Sequence, residues 1–304
     1  MTHSLIISSS TAVIQSNVSL GELTSYRIGG KAQWYASISK QSDLETVFEW
    51  YASQSVPLTF LGAGSNLLIS DQGLPGLVLS TRYLRYYHID YSQAKITAAA
   101  GEPIARIAWI AARLGWSGLE WAVGIPGTVG GSVVMNAGAH GKSISDILSS
   151  AKVVSPSGDL SILTREDFQF SYRSSVLQKQ PRLVLEATFE LEPGFDKEVI
   201  KATTSRNLNS RKQSQPYDKP SCGSVFRNPY PQAAGRLIEQ LGLKGYQIGQ
   251  AQVSPRHANF IVNQGQAKAC DVFRLIHHVR EQVKDSCSIL LEPEVKMLGE
   301  FPTL

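Results

Sequence analysis

The stretch LTFLGAGSNLL, residues 58–68, decides how the fold of this sequence is interpreted. Its apolar first part, 58–61, predicts a short buried strand that runs directly into Gly62-Ala63-Gly64. Glycine allows positive φ and the close approach of a ligand, so the amides after the strand can form an anion-binding nest. The segment is not a dinucleotide fingerprint, because Leu67 occupies the third glycine position of that motif. A simple turn is the alternative interpretation.

A second glycine-rich segment, GIPGTVGG at residues 124–131, continues to NAGA at 136–139. Glycine costs backbone entropy, roughly 0.5–1 kcal/mol for each residue that lies in regular structure. A fold keeps such a stretch more readily when a ligand orders it. Two such segments favour a large phosphate-bearing cofactor bound across one domain.

Strands alternate with helices along the rest of the chain. The tetrapeptide Ser42-Asp43-Leu44-Glu45 fits a capping box at the start of an amphipathic helix. Another helix is predicted to open at Glu102-Pro103, because proline suits the first helical position. It is predicted to end at Gly115, because glycine suits the C′ position. Strand patterns dominate residues 151–191, and residues 196–213 are polar and helix-prone, with two further helices near the C-terminus. The pattern predicts the α+β class.

The composition excludes several classes of protein. Of 304 residues, 42% are hydrophobic and 18% are charged, which excludes a disordered or fibrous chain. Three cysteines without a CxxC pair make a disulfide scaffold or a zinc ribbon improbable. The start of the chain lacks a basic n-region, and no apolar run approaches the ~20 residues of a membrane span. We therefore expect a cytoplasmic protein without a signal peptide.

The net charge of +4 is too small to indicate a nucleic-acid partner. The charge is unevenly distributed, since eight basic and only two acidic residues lie between Lys201 and Lys244. This stretch predicts an anionic ligand nearby, and a solvated helix face is the alternative. A composition shift after Pro193-Gly194 predicts a domain boundary near 194–200.

An ordered set of motifs resembles the UDP-N-acetylenolpyruvoylglucosamine reductase family, in its shorter class. The resemblance runs from about Thr24 to Gly299, and single motifs are weak while the ordered set is specific. The motifs are TSYRIGGKA (24–32), LGAGSNLL (61–68), GIPGTVGG (124–131), NAGA (136–139), FSYRSS (170–175), PSCGSVFRNP (220–229), HANFIVN (257–263) and LEPEVKMLG (291–299).

The resemblance implies a two-lobed FAD-binding domain of the p-cresol methylhydroxylase type, followed by a smaller α+β domain that binds substrate. The FAD-binding domain would span 24–193, with lobes of about 24–82 and 83–193. An N-terminal extension, 1–23, would precede it, and 194–304 would bind substrate. FAD would be noncovalent, although His140 stands where many members carry tyrosine.

The resemblance also implies which residues contact FAD. The first glycine segment would hold the pyrophosphate, and the second would surround the ribityl chain and the isoalloxazine ring. The residues are Gly62, Ala63, Gly64, Ser65, Asn66, Leu67, Gly124, Ile125, Pro126, Gly127, Thr128, Gly130, Gly131, Asn136, Gly138 and Ala139.

Three residues match the family's catalytic positions. Arg173 corresponds to the arginine that faces substrate, Ser224 to the serine proton donor and Glu294 to the essential glutamate. The enolpyruvyl double bond is conjugated with a carboxylate, so hydride attack builds negative charge that a cation stabilises. A protonated Glu294 would share this task. Read without the resemblance, the three residues fit a surface ion pair, turn punctuation and an exposed strand face.

A further group of residues is expected at the substrate. Many members carry lysine where this sequence has Ser214, so another basic residue would neutralise the diphosphate. Packing is the alternative for the two residues of the HANFIVN motif. The expected substrate residues are Tyr172, Arg211, Lys219, Asn228, His257 and Asn259.

The sequence thus predicts an NADPH-dependent FAD reductase of UDP-N-acetylglucosamine enolpyruvate that acts on small molecules as a monomer. Two alternatives are a flavin oxidase with the same cofactor fold and a sugar-nucleotide or flavin-binding module without turnover. No metal site is predicted, because His277 and His278 are adjacent on a helix and point to different faces.

Overall fold

A computed structural model describes residues 4–6 and 13–303 of the chain. Residues 1–3 and 7–12, which belong to the predicted N-terminal extension, and Leu304 lie outside the described residues. The chain forms two compact units. Among the described residues, the first unit comprises 4–6, 13–16, 34–63 and 76–211, and the second comprises 17–33, 64–75 and 212–303.

The described residues form strands and helices in alternation. The strands are β1 (Ser4–Ile6), β2 (Val13–Ser19), β3 (Lys31–Ser37), β4 (Leu58–Leu61), β5 (Leu67–Ile69), β6 (Leu74–Ser80), β7 (Tyr87–Asp90), β8 (Lys95–Ala99), β9 (Gly138–Ala139), β10 (Lys142–Ser143), β11 (Leu148–Val154), β12 (Leu160–Thr164), β13 (Leu183–Glu190), β14 (Gln247–Ile248), β15 (Ala251–Val253), β16 (Ile261–Asn263) and β17 (Lys296–Leu298). The α-helices are α1 (Asp43–Ala52), α2 (Ile104–Leu114), α3 (Val129–Val134), α4 (Lys197–Ser214), α5 (Ala234–Gln240) and α6 (Ala269–Cys287).

The first unit is built on two five-stranded sheets. One has the order β1-β2-β3-β6-β4, with strands wholly or mostly in this unit, and the other has the order β12-β11-β13-β8-β7. Neighbouring strands of the second sheet are antiparallel, and β13 lies at its centre. Five of the eight residues of β13 are buried, as expected of a central strand.

Helix α2 covers part of the core of the first unit. Pro103 precedes the helix in an extended conformation, and Gly115 ends it at φ 74°, where its amide binds Ala111 and Ala112 carbonyls. Only glycine adopts this left-handed conformation without a steric cost. Ile104, Ile107, Ala108 and Ala111 are buried at helical spacing, which confirms the prediction for this helix.

The second unit has its own apolar core. Helix α6 buries Val272, Leu275, Ile276, Val279 and Val283 along one face, and these residues pack with side chains of α5 and β15. Strands β14, β15 and β16 form an antiparallel sheet, and β5 pairs in parallel with β17. No helix in the described part of the chain is long and apolar enough to cross a membrane.

The predicted capping box at α1 is wrong, although the helix itself is confirmed. Ser42 has helical φ and ψ and makes no side-chain cap. The Asp43 carboxylate, which is 1% exposed, instead accepts hydrogen bonds from Ser39 and Lys40 amides at 2.9 and 3.1 Å. The chain turns before Ser42, so an acceptor one residue later satisfies the amides of that turn.

The residue ranges of the two compact units differ from those of the predicted domains. The last division between them falls at residues 211 and 212, inside α4, and not near 194–200. Residues 17–33 and 64–75 also belong to the second unit, because they pack on residues distant in sequence. The functional domains drawn from the sequence remain a prediction.

Candidate active site

The two glycine-rich segments meet within the first unit. A Cβ on Gly62, directly after β4, would lie 2.7 Å from Thr128 Oγ1, and one on Gly131 would lie 3.6 Å from the same atom. The Thr128 hydroxyl also accepts a hydrogen bond from the Gly131 amide at 3.4 Å at the start of α3. Gly131 is exposed. The missing side chain at Gly62 therefore lets the Thr128 hydroxyl approach the backbone closely, and Gly131 stays exposed beside it.

The remaining part of the first glycine segment lies in the second unit. Gly64 has φ 66°, and a Cβ there would collide with the Leu23 carbonyl oxygen. Within the described residues, the backbone N–H groups of Gly64, Ser65 and Asn66 donate to no other protein group. Three successive donors without a protein acceptor fit an anionic ligand.

Backbone pairing joins the segment directly after Ser224 to the segment of Glu294 in the second unit. The Glu294 amide donates to the Val225 carbonyl at 2.7 Å, and the Arg227 amide donates to the Glu292 carbonyl at 2.9 Å. Phe226 faces Pro293 as an antiparallel bridge. The two motifs PSCGSVFRNP and LEPEVKMLG therefore form one short ladder over residues 225–227 and 292–294. Glu294 lies on this ladder, and Ser224 directly precedes it.

Asn66 ties the first glycine segment to this ladder. Its Nδ2 donates to the Glu294 carbonyl at 3.1 Å, and its own carbonyl accepts from the Lys296 amide at 3.0 Å. These bonds begin the parallel pairing of β5 with β17. The structure thus joins Asn66 to Glu294, and Ser224 lies one residue before the same ladder in the second unit.

Asn259 holds the ladder from its other side. Its Oδ1 accepts from the Phe226 amide at 2.9 Å, and its Nδ2 donates to the Phe226 carbonyl at 2.8 Å. The Val225 amide donates to the Asn259 carbonyl at 2.9 Å. The buried Asn259 carboxamide thus pairs with Phe226 as a neighbouring strand would. Both of its polar groups bind the Phe226 backbone, two residues after Ser224.

Burial controls the titration of groups below the ladder. Burial raises the pKa of the Cys222 thiol to about 12, against a smaller opposing effect of the Tyr26 hydroxyl and with a further increase from Glu294. Burial, then Cys222, also raises the pKa of Tyr26 well above its ordinary value. A thiol held in this protonated form is a poor nucleophile.

Lys296 brings a positive charge to the same region. Burial and the Arg227 guanidinium lower the pKa of Lys296, while Glu292 and Glu294 act in the opposite direction. The sequence analysis did not select Lys296. Its position two residues after Glu294, in a segment predicted to be extended, was the signal that could have found it.

Arg173 occupies a tight turn in the first unit. Ser171 and Ser174 exchange two backbone hydrogen bonds, of 3.1 and 3.0 Å, around Tyr172 and Arg173. Arg173 has φ 56°, and its Nη2 donates to the Gly138 carbonyl at 2.7 Å. The guanidinium carbon lies 5.1 Å from the centre of the half-exposed Tyr172 ring. The arginine thus contacts the second glycine segment.

The other predicted contacts divide between the two units. Arg211 donates through Nε to the Gly124 carbonyl at 3.1 Å in the first unit. In the second unit, Lys219 is exposed, and the Asn228 carboxamide oxygen accepts from the first amide of α5 at 3.0 Å. His257 Nδ1 accepts from the Asn259 amide at 3.2 Å. Their contacts with substrate stay predictions.

The remaining predicted cofactor residues have the following places. Ile125, Pro126 and Gly127 form the link from a 3-10 turn to α3, and Leu67 opens β5. Gly130 and Asn136 are buried, and Gly138 and Ala139 form β9. Ala63 accepts a 3.4 Å hydrogen bond from Arg82, a residue that carried no sequence signal.

Comparisons with known proteins agree with these features. Residues 32–164 match the model of an FAD-binding domain, which confirms the predicted cofactor fold, and residues 215–298 match the C-terminal domain of UDP-N-acetylenolpyruvoylglucosamine reductase. The α+β class is confirmed as well.

Similar proteins of the same description match over nearly the whole chain. The reductase of Synechocystis sp. is 61% identical over 302 residues, which cover 99% of this chain and 95% of that protein. The reductase of Acaryochloris marina is 53% identical, with coverage of 99% and 98%. The crystal structure of the Thermus caldophilus reductase has a TM-score of 0.81 at 34% identity and covers 93% and 98% of the two chains. The chain therefore belongs to the UDP-N-acetylenolpyruvoylglucosamine reductase family.

Proposed function

We propose that this chain reduces the enolpyruvyl group of UDP-N-acetylglucosamine enolpyruvate, giving UDP-N-acetylmuramate for peptidoglycan precursor synthesis. FAD would be the noncovalent cofactor and NADPH the reductant. The observation that carries the proposal is the backbone ladder that joins the segment after Ser224 to the segment of Glu294, together with the bond from Asn66 of the first glycine segment to the Glu294 carbonyl. Binding alone would not need a proton donor beside an acid.

The described residues fit FAD. The N–H groups of residues 64–66 suit the pyrophosphate, and the exposed Gly131 lies beside the Thr128 hydroxyl. When bound, FAD would supply hydride transfer from NADPH to the methylene carbon of the substrate. Residues 62–67 and 124–139 would hold it.

Arg173 would stabilise the charge that develops on the substrate. Hydride addition to the methylene carbon leaves negative charge on the adjacent carbon and in the conjugated carboxylate. A guanidinium binds two carboxylate oxygens with its planar fork. Its anchored Nη2 and the stacked Tyr172 ring fix the guanidinium before substrate arrives. Loss of a comparable donor costs roughly 10²–10³ in rate.

Ser224 would deliver the proton that completes the reduction. A hydroxyl is a weak acid, so it needs hydrogen-bond reach and a relay that restores its proton. Glu294, on the adjacent strand of the ladder, would supply or orient that relay. Cys222 has no role in this chemistry, since reduction of an alkene requires no nucleophile.

The test separates the two half-reactions. We expect Ser224→Ala to leave anaerobic flavin reduction by NADPH intact and to abolish most reoxidation by the enolpyruvyl substrate. Ser221→Ala, three residues earlier in a segment that pairs with Val262, is the matched control and should keep both half-reactions. Equal loss of both in Ser224→Ala would contradict the assigned role. Rapid reoxidation of the wild-type flavin by dioxygen alone would favour an oxidase.

The proposal includes a monomer that works in the cytoplasm, where NADPH is available. A single chain supplies both the predicted proton donor, Ser224, and the predicted acid, Glu294. Light scattering at working concentration should give a mass near 33.2 kDa. A stable dimer would overturn this part of the proposal and leave the reaction unaffected.

A further inference from the structure

The turn that carries Arg173 is a strained piece of backbone. Arg173 has φ 56° at the third position of a four-residue turn, where glycine or asparagine is preferred. A side chain in this region costs about 1–2 kcal/mol. Such conformations persist when surrounding groups over-determine them, and they concentrate at functional sites.

Gln178 is one of the groups that hold this turn. Its Nε2 donates to the Arg173 carbonyl at 3.0 Å and to the Val134 carbonyl at 3.1 Å. One carboxamide therefore joins the backbone of the turn to the last residue of α3. Gln178 is half-buried. No pattern in the sequence singled it out.

Asn136 holds the other side of the turn. Its Nδ2 donates to the Ser171 carbonyl at 2.9 Å, and its Oδ1 accepts from the Ser145 amide at 2.9 Å. Its side chain is buried, and both of its polar groups are used within the protein. The cofactor contact predicted for Asn136 stays a prediction.

Helix α3 connects these contacts with the glycine segments. It begins at the Thr128 cap, between Gly62 and Gly131, and ends at Val134, whose carbonyl also accepts from the Ser175 hydroxyl at 2.7 Å. The C-terminal carbonyls of a helix need such donors from outside the helix. A rigid path of six residues thus runs from the expected flavin contacts to the Arg173 turn.

We propose that Gln178 is a positioning residue for Arg173: its carboxamide fixes the strained turn against α3, so that the guanidinium meets the substrate carboxylate in one orientation. The inference rests on the proposed role of Arg173. A misplacement of about 1 Å at a reacting group can cost on the order of 10²-fold in rate. Loss of Gln178 should therefore weaken charge stabilisation without removing any charge.

The experiment compares two substitutions at Gln178 with a control substitution at Gln180. Gln178→Met keeps the length of the side chain and removes both hydrogen bonds. Gln178→Lys restores a donor that can reach the two carbonyls. Gln180→Met is the control, because Gln180 is exposed two residues further along the chain. Each protein is measured as the FAD-loaded enzyme in both half-reactions, and as apoprotein by hydrogen exchange at the Ser174 amide, which closes the turn.

We expect Gln178→Met to slow reoxidation by the enolpyruvyl substrate by about 10- to 100-fold. Flavin reduction by NADPH should not change, and exchange at Ser174 should rise. Gln178→Lys should recover most of the rate, and Gln180→Met should behave as wild type. A loss shared equally by both half-reactions, or no recovery with lysine, would show that Gln178 acts on general structure and would overturn the proposal.

A double-mutant comparison separates this inference from the proposed function. If Gln178 acts through Arg173, Gln178→Met should add nothing to the defect of Arg173→Ala. Additive defects would refute the positioning role while leaving Arg173 as the substrate-binding cation. If Arg173→Ala itself leaves reoxidation at the wild-type rate, the proposed function of Arg173 fails instead.

Discussion

Replacement of Asn259 by leucine should destabilise the protein, because it leaves the backbone amide and carbonyl of Phe226 without their hydrogen-bond partner. The Asn259 carboxamide binds the Phe226 amide and carbonyl at 2.9 and 2.8 Å, and the two residues are 4% and 1% exposed. Leucine has a similar volume and offers neither donor nor acceptor. Each buried group that loses its partner costs about 1–3 kcal/mol, so we expect a loss of about 2–6 kcal/mol in the free energy of unfolding.

Urea unfolding of the apoprotein measures this loss as a lower transition midpoint. Asn209→Leu is the control, because Asn209 is exposed on α4, and it should change the free energy of unfolding by less than about 0.5 kcal/mol. Equal midpoints for Asn259→Leu and wild type would refute the reasoning. That result would mean that Phe226 finds other partners at no cost.

Asn259→Asp adds a test with a defined sign. An ionised carboxylate can still accept from the Phe226 amide but cannot donate to its carbonyl, so burial favours the protonated acid. The variant should therefore regain stability relative to wild type as the pH falls towards 4, where the acid becomes a donor. A pH-independent difference would contradict this account of the bond.

Three further predictions concern other parts of the molecule. Gly62→Ala should lower the stability of the apoprotein, because its Cβ would lie 2.7 Å from Thr128 Oγ1. Adding Thr128→Ala should remove this loss of stability. If the double variant is still destabilised, this contact is not the cause. Arg173→Gly should be more stable than Arg173→Ala by about 1 kcal/mol, because the residue has φ 56°. This difference corresponds to about 2–4 °C in Tm for a unit of this size. The reverse order of stability would contradict strain at the turn. Burial raises the pKa of the Cys222 thiol from its ordinary value of 9.0 to about 12. The stabilisation that the protonated thiol gives to the folded state is therefore complete below pH 9 and is lost as the pH rises towards 12, by about 1.4 kcal/mol per pH unit. Unfolding in urea between pH 8 and 10.5 should show a weaker alkaline loss in Cys222→Ala, and identical slopes would argue against a buried thiol.

The local elements of this protein follow from its sequence, because helix and strand patterns depend on neighbouring residues. The strand at 58–61, the helix that ends at Gly115 and the last helix all lie where periodicity and glycine chemistry predict them. The cap of α1 was predicted wrongly. Ser42 has a helical backbone and makes no side-chain cap, while the Asp43 carboxylate binds the amides of Ser39 and Lys40 in the preceding turn. Sequence spacing does not reveal where that turn begins.

Motif order alone predicted the family, and the chain's own residues gave the identity of the chemical groups: an arginine for a carboxylate, a hydroxyl for a proton and glycines for a phosphate-bearing cofactor. Tertiary structure decided which of these groups become neighbours. The bond between Asn66 and Glu294 joins residues 228 positions apart. The ladder between residues 225–227 and 292–294 is formed by backbone hydrogen bonds, which no side-chain pattern in the sequence predicts. The supporting carboxamides of Asn259 and Gln178 bind main-chain atoms, and main-chain atoms are the same at every residue. Only the folded path of the chain determines which of them a buried amide will reach.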